Sequence, residues 1–265
     1  MTRALSEIEG FLIDMDGVLY RGDEPLPGMQ EFIAHLRQHE IPHAFVTNNA
    51  GRTPDEYAQK LARMNAPVDA ARVLTSSLVT AAHIAATTTA DDRVLMIGGN
   101  GLREALDARG LVRTDDPNEA TIVVVGIDRD LTYEKLARAA LALGRGAVFL
   151  GTNADRSFPS ERGNEPGAGA LLAALEAATG KTPRVFGKPQ PDLFLQGLAM
   201  LGTRASCTAM VGDRYETDII GAHRVGLLTI AVTSGVGSEA ELLQCDPRPD
   251  FILASVQELW QAIRT

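Results

Sequence analysis

The chain has 265 residues, of which 45% are hydrophobic and 22% charged, and its formal net charge is −9. This length suits one large α/β domain or two smaller ones. The negative net charge argues against nucleic acid as the main partner, because phosphate backbones are bound by clustered Lys and Arg. No stretch approaches the ~18 unbroken apolar residues of a membrane span. The first residues lack the apolar core of a secretory signal, and two cysteines are too few for a disulfide framework. We therefore expect a cytoplasmic protein with no membrane partner.

Short apolar runs alternate with amphipathic stretches along the whole chain. The strand-like runs are 11–13, 44–46, 94–97, 122–125, 148–150, 210–211 and 229–232. The helix-like stretches are 28–39, 54–64, 100–109, 132–144, 167–178, 191–201, 214–225 and 255–264. This alternation predicts an α/β protein with a Rossmann-like, doubly wound, largely parallel sheet. Ligands of such sheets bind beyond the carboxyl ends of the strands, so the polar residues that directly follow strands are the candidates.

Polar groups suited to phosphate chemistry follow four strand-like runs. In chain order they are Asp14 and Asp16, then Thr47, Asn48 and Asn49, then Lys188, and last Asp213 and Asp218. The first two groups precede residue 50 and the last two follow residue 187, while the intervening stretch has strands and helices of its own. This spacing predicts a core formed by residues 1–84 and 183–265, with a second α/β domain, residues 85–182, inserted into it.

Each group has a definite use in phosphoryl transfer, which needs an in-line nucleophile, positive charge and an acid for the leaving group. Asp14 ends a buried strand and can act as a nucleophile that forms an aspartyl phosphate. Asp16 lies on the same face of the strand, where it can protonate the leaving oxygen and later deprotonate the attacking water. Thr47 offers a hydroxyl to a phosphate oxygen, and Lys188 offers a positive charge to the carboxylate and to the phosphoryl group.

The remaining acidic residues predict a metal site. Asp14 and Asp213, if close together, would repel each other unless a cation lay between them, and Asp218 falls in the first turn of the following helix. A hard divalent cation with oxygen ligands resolves this repulsion, and Mg²⁺ is the usual choice beside phosphates. The predicted cofactor is therefore Mg²⁺.

Segments 11–20, 47–49, 187–189 and 212–219 resemble, in order, the four motifs of the haloacid dehalogenase-like phosphatase superfamily. The resemblance is greatest to its NagD-like and p-nitrophenyl-phosphatase-like branch, whose cap domain is resembled by segments 151–155 and 166–171. It implies the same roles for the residues named above. It also implies that Mg²⁺ is held by the Asp14 carboxylate, the Asp16 backbone carbonyl and Asp213, with support from Asp218.

The same resemblance implies a capped hydrolase of small phosphorylated metabolites, such as nucleoside monophosphates, glycerol phosphate, phosphoglycolate, pyridoxal phosphate or sugar phosphates. It also implies a homodimer formed through the cap. In the resembling enzymes the cap loop at 156–164 helps to choose the substrate, so Phe158 and Arg162 are either specificity residues or parts of an ordinary surface loop. Asn48 and Asn49 either contact the substrate or the segment near Asp16, or form a turn after the strand.

Two other functions would use similar residues. A phospho-acceptor switch also needs a strand-end Asp, a hydroxyl, a Lys and Mg²⁺, but an acid/base at Asp16 favours turnover because it speeds loss of the phosphoryl group. A phosphate-ester-binding protein without turnover would have lost a catalytic group, and none is missing. The zinc-protease pattern at residues 39–43 is interrupted by Pro42, which breaks the helix that this pattern requires.

Overall fold

The computed structural model describes residues 5–160 and 163–264. Its described residues form two compact units. The first unit comprises the segments Met1–Thr47, Asp55–Leu74 and Lys188–Thr265, and the second comprises Asn48–Pro54 and Thr75–Gly187. Over the described residues, no helix combines the length and apolar character needed to cross a membrane.

The secondary structure alternates as the sequence predicts. The strands are β1 (Gly10–Ile13), β2 (Tyr20–Arg21), β3 (Glu24–Pro25), β4 (His43–Thr47), β5 (Val73–Thr75), β6 (Val94–Ile97), β7 (Ile122–Val125), β8 (Val148–Gly151), β9 (Ser157–Ser160), β10 (Gly163–Pro166), β11 (Arg184–Val185), β12 (Thr208–Gly212), β13 (Leu228–Val232) and β14 (Phe251–Leu253). The helices are α1 (Met29–Gln38), α2 (Pro54–Arg63), α3 (Ser76–Thr87), α4 (Asn100–Asp107), α5 (Tyr133–Gly144), α6 (Ala168–Thr179), α7 (Pro191–Leu201), α8 (Ile220–Arg224), α9 (Glu239–Leu242) and α10 (Val256–Ile263).

The first unit is built on a six-stranded sheet in the order β14-β13-β12-β1-β4-β5. The central strand β1 runs parallel to both of its neighbours, β12 and β4. All four of its residues are buried, because helices cover both faces of such a sheet and each face must be apolar. On one face Phe11 packs edge-to-face on Phe32 of α1, with ring centroids 5.9 Å apart. The predicted α/β fold class with a doubly wound parallel core is confirmed.

The second unit has its own four-stranded sheet in the order β11-β8-β7-β6, in which the pairings are parallel. Its core lies between this sheet and helices α5 and α6, where Val123, Phe149 and Leu172 are buried. Strands β9 and β10 form an antiparallel hairpin. The sequence predicts a loop at this place, because these short polar strands lack the apolar alternation by which strands are recognised.

The units divide at positions that differ from the predicted domain junctions. The predicted insert begins at residue 85 and ends at residue 182, whereas the second unit includes α3 and extends to Gly187. Helix α3 packs on α4 of the second unit. Two hydroxyls at its start also donate hydrogen bonds within that unit, Ser76 to the Asn48 carbonyl at 2.6 Å and Ser77 to the Ala50 carbonyl at 3.0 Å. These buried contacts are formed in the tertiary structure and are not visible in the composition of the chain.

A five-residue π-helical turn, Tyr215–Ile219, precedes α8 and joins it to the end of β12. Within it the Asp218 N–H donates to the Arg214 carbonyl at 2.9 Å, and the Asp218 carboxylate accepts from the Arg214 N–H at 3.1 Å. The sequence predicts one continuous helix from 214 to 225. The irregular turn instead places Asp218, which is completely buried, beside the carboxyl end of the sheet.

Candidate active site

The chemically important residues of the first unit lie at the carboxyl ends of three adjacent strands. Asp14 follows β1, Thr47 is the last residue of β4, and Asp213 follows β12. All three are buried. Because β1 lies between β12 and β4, the parallel register brings these residues, which are far apart in sequence, to one edge of the sheet.

Lys188 lies between two carboxylates. Its Nζ is 2.7 Å from Oδ1 of Asp14 and 2.7 Å from Oδ1 of Asp218, and only 3% of the residue is exposed. Burial alone would lower the pKa of the Lys188 ammonium, but the two carboxylates outweigh it and raise the pKa above its ordinary value. The lysine therefore carries a fixed positive charge beside the Asp14 carboxylate.

The carboxylates at this edge repel one another. Burial raises the pKa of Asp14 to about 8, and the charges of Asp218 and Asp213 add to this effect, while Lys188 opposes it. Burial also raises the pKa of Asp213 to about 6, reinforced by Asp218 and opposed by Lys188, by the Val236 N–H and by Arg214. One lysine does not balance three buried carboxylates, so further positive charge would stabilise their ionised forms.

The same three carboxylates have the geometry of a cation site. One oxygen each from Asp14, Asp213 and Asp218 lies within 4.8 Å of the others. Oδ1 of Asp213 is buried and has no hydrogen-bond partner in the part of the chain that the structure describes. A buried carboxylate oxygen without a partner is costly, and a hard divalent cation is the natural partner for a cluster of such oxygens. The residues present therefore fit a divalent metal.

A glycine-rich loop after β13 contacts the Asp213 carboxylate. The sequence motifs described above do not include this loop. The Val236 N–H donates to Oδ2 of Asp213 at 3.1 Å. A Cβ on Gly235 would lie 1.9 Å from that oxygen, and a Cβ on Gly17 would lie 2.4 Å from it. Backbone from two segments thus encloses the Asp213 carboxylate so closely that only glycine fits. The position of this loop directly after a predicted strand was the signal that could have identified it.

Asp16 lies on the short segment between β1 and the β2–β3 hairpin. It is exposed, and its backbone pairs with Tyr20, while the Gly17 N–H donates to the Tyr20 carbonyl at 2.8 Å. Partial burial of its carboxyl raises the pKa above the ordinary value, opposed by the positive charges of Lys60, Arg214 and Arg21. A carboxyl with a raised pKa that is open to solvent is suited to exchange protons with a substrate or with water.

The remaining predicted residues belong to the second unit. The Asn48 side-chain amide donates to both carboxylate oxygens of Asp155, at 3.2 and 3.3 Å. The Asn49 side-chain oxygen accepts from the Gly51 N–H at 2.9 Å, which is the hydrogen bond of a turn. Phe158 lies on β9 and is half-buried, with the Arg129 guanidinium 5.3 Å from its ring centroid. Arg162 lies outside the described residues.

Known proteins resemble this chain over most of its length. Residues 11–112 match the family described as haloacid dehalogenase-like hydrolase, and residues 185–259 match a second one described as HAD-hydrolase-like. A curated relative, an acid sugar phosphatase of Staphylococcus haemolyticus, is 44% identical over 247 residues, which cover 93% of each chain.

Two solved structures are similar over nearly the whole chain. NagD from E. coli K-12 has a TM-score of 0.88 at 30% identity, covering 95% of this chain and 98% of that one. A glycerol phosphate phosphatase from Mycobacterium tuberculosis, in complex with magnesium, has a TM-score of 0.90 at 34% identity, covering 99% of this chain and 78% of that one.

Proposed function

This chain belongs to the haloacid dehalogenase-like hydrolase family and is a phosphatase, and we propose that it hydrolyses small phosphate monoesters through an aspartyl phosphate on Asp14, with Mg²⁺ as its metal. The observation that carries the proposal is the pairing of Asp14 with Lys188 at 2.7 Å, beside two further carboxylates that fit a cation. Lys188 together with a bound cation would favour the ionised carboxylate at the ligand edge of the sheet, which a phosphoryl acceptor requires.

In the first step an Asp14 carboxylate oxygen attacks phosphorus, and the bond between phosphorus and the ester oxygen breaks. The Asp16 carboxyl gives its proton to the departing oxygen, which leaves as an alcohol. In the second step Asp16 takes a proton from water, the water oxygen attacks phosphorus, and the bond to Asp14 breaks with release of inorganic phosphate. Lys188 stabilises the negative charge that accumulates on the phosphoryl oxygens in both steps.

The residues that would hold Mg²⁺ are Asp14 and Asp213 through their carboxylates and Asp16 through its backbone carbonyl, with Asp218 in support. Bound there, Mg²⁺ would supply positive charge to the phosphoryl oxygens and relieve the repulsion among the carboxylates. Thr47, at the end of β4, would contribute its hydroxyl to a phosphate oxygen. Mg²⁺ prefers octahedral coordination and commonly takes substrate phosphate oxygens among its ligands. These properties favour Mg²⁺ over Ca²⁺ for turnover.

Gly235→Ala tests the support of the metal site by the loop after β13. The added methyl would force Asp213 or the loop to move, since it would lie 1.9 Å from Oδ2 of Asp213. We expect the Mg²⁺ concentration for half-maximal activity to rise at least about tenfold, as for other changes beside metal ligands. Activity is measured as phosphate release over a Mg²⁺ titration. Gly144→Ala, whose Cβ would meet no atom within 4 Å, is the matched control, and an unchanged titration for Gly235→Ala would contradict the assignment.

We propose phosphorylated sugars and polyols as the substrate class, because relatives are named acid sugar phosphatase and glycerol phosphate phosphatase. The second unit would then act as the cap that selects among them, with Phe158 and Arg162 as specificity residues. A cytoplasmic setting and a homodimer formed through the cap belong to the same proposal. Sedimentation of the purified protein tests the dimer.

The proposal is tested by phosphate release from a panel of esters, with Mg²⁺ and with EDTA. The panel contains sugar phosphates, glycerol phosphate, phosphoglycolate, pyridoxal phosphate, nucleoside monophosphates and 4-nitrophenyl phosphate. We expect turnover with Mg²⁺, loss in EDTA, and recovery when Mg²⁺ is restored. A stable phosphoenzyme without turnover would instead favour a phospho-acceptor switch, and activity that persists in EDTA would contradict the metal site.

A further inference from the structure

Lys60, on the inner face of α2, is a lysine with only 7% of its surface exposed. Its ammonium contacts three consecutive parts of the β2–β3 hairpin. Nζ lies 3.9 Å from the Tyr20 ring centroid, donates to the Gly22 carbonyl at 2.6 Å, and is 3.5 Å from a carboxylate oxygen of Asp23. The buried Lys60 ammonium therefore contacts both the first strand and the turn of the β2–β3 hairpin and stabilises their positions.

This hairpin is linked directly to Asp16. Tyr20, which lies under the Lys60 ammonium, pairs through its backbone with Asp16, and its carbonyl accepts from the Gly17 N–H at 2.8 Å. On the other side the Ser234 hydroxyl donates to the Gly17 carbonyl at 2.8 Å, and Arg21 donates to the Ser234 carbonyl at 2.8 Å. The segment that carries the Asp16 carboxyl is therefore held from two directions, by Lys60 and by the loop after β13.

Stability alone does not call for a lysine at this place. Gly22 and Asp23 are exposed, so water can satisfy the Gly22 carbonyl and the Asp23 carboxylate without help. Burying an ammonium is costly, and an apolar side chain of similar length would fill the same space against Tyr20 without that cost. What the lysine adds is directional contact with the hairpin.

We propose that Lys60 is a positioning residue that keeps the Asp16 carboxyl placed to protonate the leaving oxygen. The inference rests on the proposed acid role of Asp16 and extends it to a residue that does not touch the substrate. Esters whose leaving group needs a proton, such as glycerol phosphate, depend on Lys60, whereas 4-nitrophenyl phosphate, whose leaving group departs as a stable anion, depends on it much less.

The experiment compares kcat/KM for glycerol phosphate and 4-nitrophenyl phosphate in wild type, Lys60→Met and Lys60→Arg. We expect Lys60→Met to lower the ratio of kcat/KM for glycerol phosphate to kcat/KM for 4-nitrophenyl phosphate at least about tenfold. This loss is smaller than the rate acceleration of about 10²–10⁴-fold that a general acid provides, because the acid is displaced and not removed. Lys60→Arg, which keeps a cationic donor, should recover part of the alkyl rate. Lys135→Met is the matched control, since Lys135 also bonds a carboxylate and a backbone carbonyl, in the second unit, and its ratio should equal that of wild type.

The Asp16→Asn background separates positioning from a general loss of structure. In that background Lys60→Met should change the ratio no further, because the group that it positions is absent. Equal proportional losses for both esters, or a further fall of the ratio in the Asp16→Asn background, would overturn the role of Lys60. A wild-type protein that releases phosphate from no ester of the panel above would overturn the proposed function itself. Thermal unfolding of each variant identifies any that fails to fold, and Lys60→Arg then carries the test.

Discussion

Asp14→Asn is expected to lower kcat for every ester by at least about 10⁴-fold, a loss typical of removing a catalytic nucleophile. An amide has nearly the shape of the carboxylate but cannot form the acyl phosphate bond under these conditions. Because burial raises the pKa of Asp14 to about 8, the neutral side chain is well accommodated and the variant should fold. The measurement is steady-state phosphate release, with circular dichroism to confirm the fold.

A phosphoenzyme assay tests directly whether Asp14 carries the phosphoryl group. Wild type, quenched in acid during turnover, should retain phosphate on the protein, and Asp14→Asn should retain none. Asp91→Asn, which changes an exposed aspartate of the second unit, is the matched control and should leave both measurements unchanged. Turnover by Asp14→Asn within about tenfold of wild type would contradict the assignment of the nucleophile.

Lys188→Met is expected to lower kcat/KM by about 10²–10³-fold, the usual effect of removing one group that stabilises transition-state charge. It should also destabilise the protein by about 3 kcal/mol in EDTA, because it leaves the Asp14 and Asp218 carboxylates buried without their cation. Urea unfolding measures this change, and phosphate release measures the activity. Mg²⁺ should restore part of the stability but not the activity, since it neutralises the carboxylates without replacing the lysine.

Arg138→Met is the control for stability and should change the free energy of unfolding by no more than about 1 kcal/mol, since both members of its ion pair with Glu134 are exposed. If Lys188→Met were as stable as wild type in EDTA, the carboxylates would not depend on the lysine. The pairing of Lys188 with Asp14 and Asp218 would then contribute nothing to the free energy of unfolding.

The sequence was sufficient to predict which polar residues meet at the carboxyl edge of the first unit's sheet, because one rule governs their placement. In a parallel sheet, residues that follow adjacent strands meet at the carboxyl edge, and this rule brings Asp14 and Asp213 together across 199 positions (213 − 14) of sequence. The buried apolar runs that identify β1, β4 and β12 are continuous, so their carboxyl ends could be located closely. The alternation of strands and helices likewise predicted the fold class.

Other features could not be predicted because they arise from contacts formed only in the folded chain. Lys60 looks like one charged residue of an amphipathic helix, and nothing local indicates that it is buried against Tyr20. The pairing of Asn48 with Asp155 joins residues 107 positions apart that belong to no common motif. Gly235 resembles any loop glycine until the distance to Asp213 is known. Each case depends on tertiary packing, which overrides local pattern.

The π-helical turn at Tyr215–Ile219 limits the deletions that this chain can tolerate. A π turn contains one residue more than the equivalent α-helical turn, and it occurs mostly as a single turn within or beside an α-helix. Deleting one residue from it would allow an uninterrupted helix, yet the helix would then rotate by about 100° relative to β12 and carry Asp218 away from Lys188. We therefore expect a one-residue deletion here to remove the Asp218–Lys188 ion pair and to abolish activity even where the protein still folds.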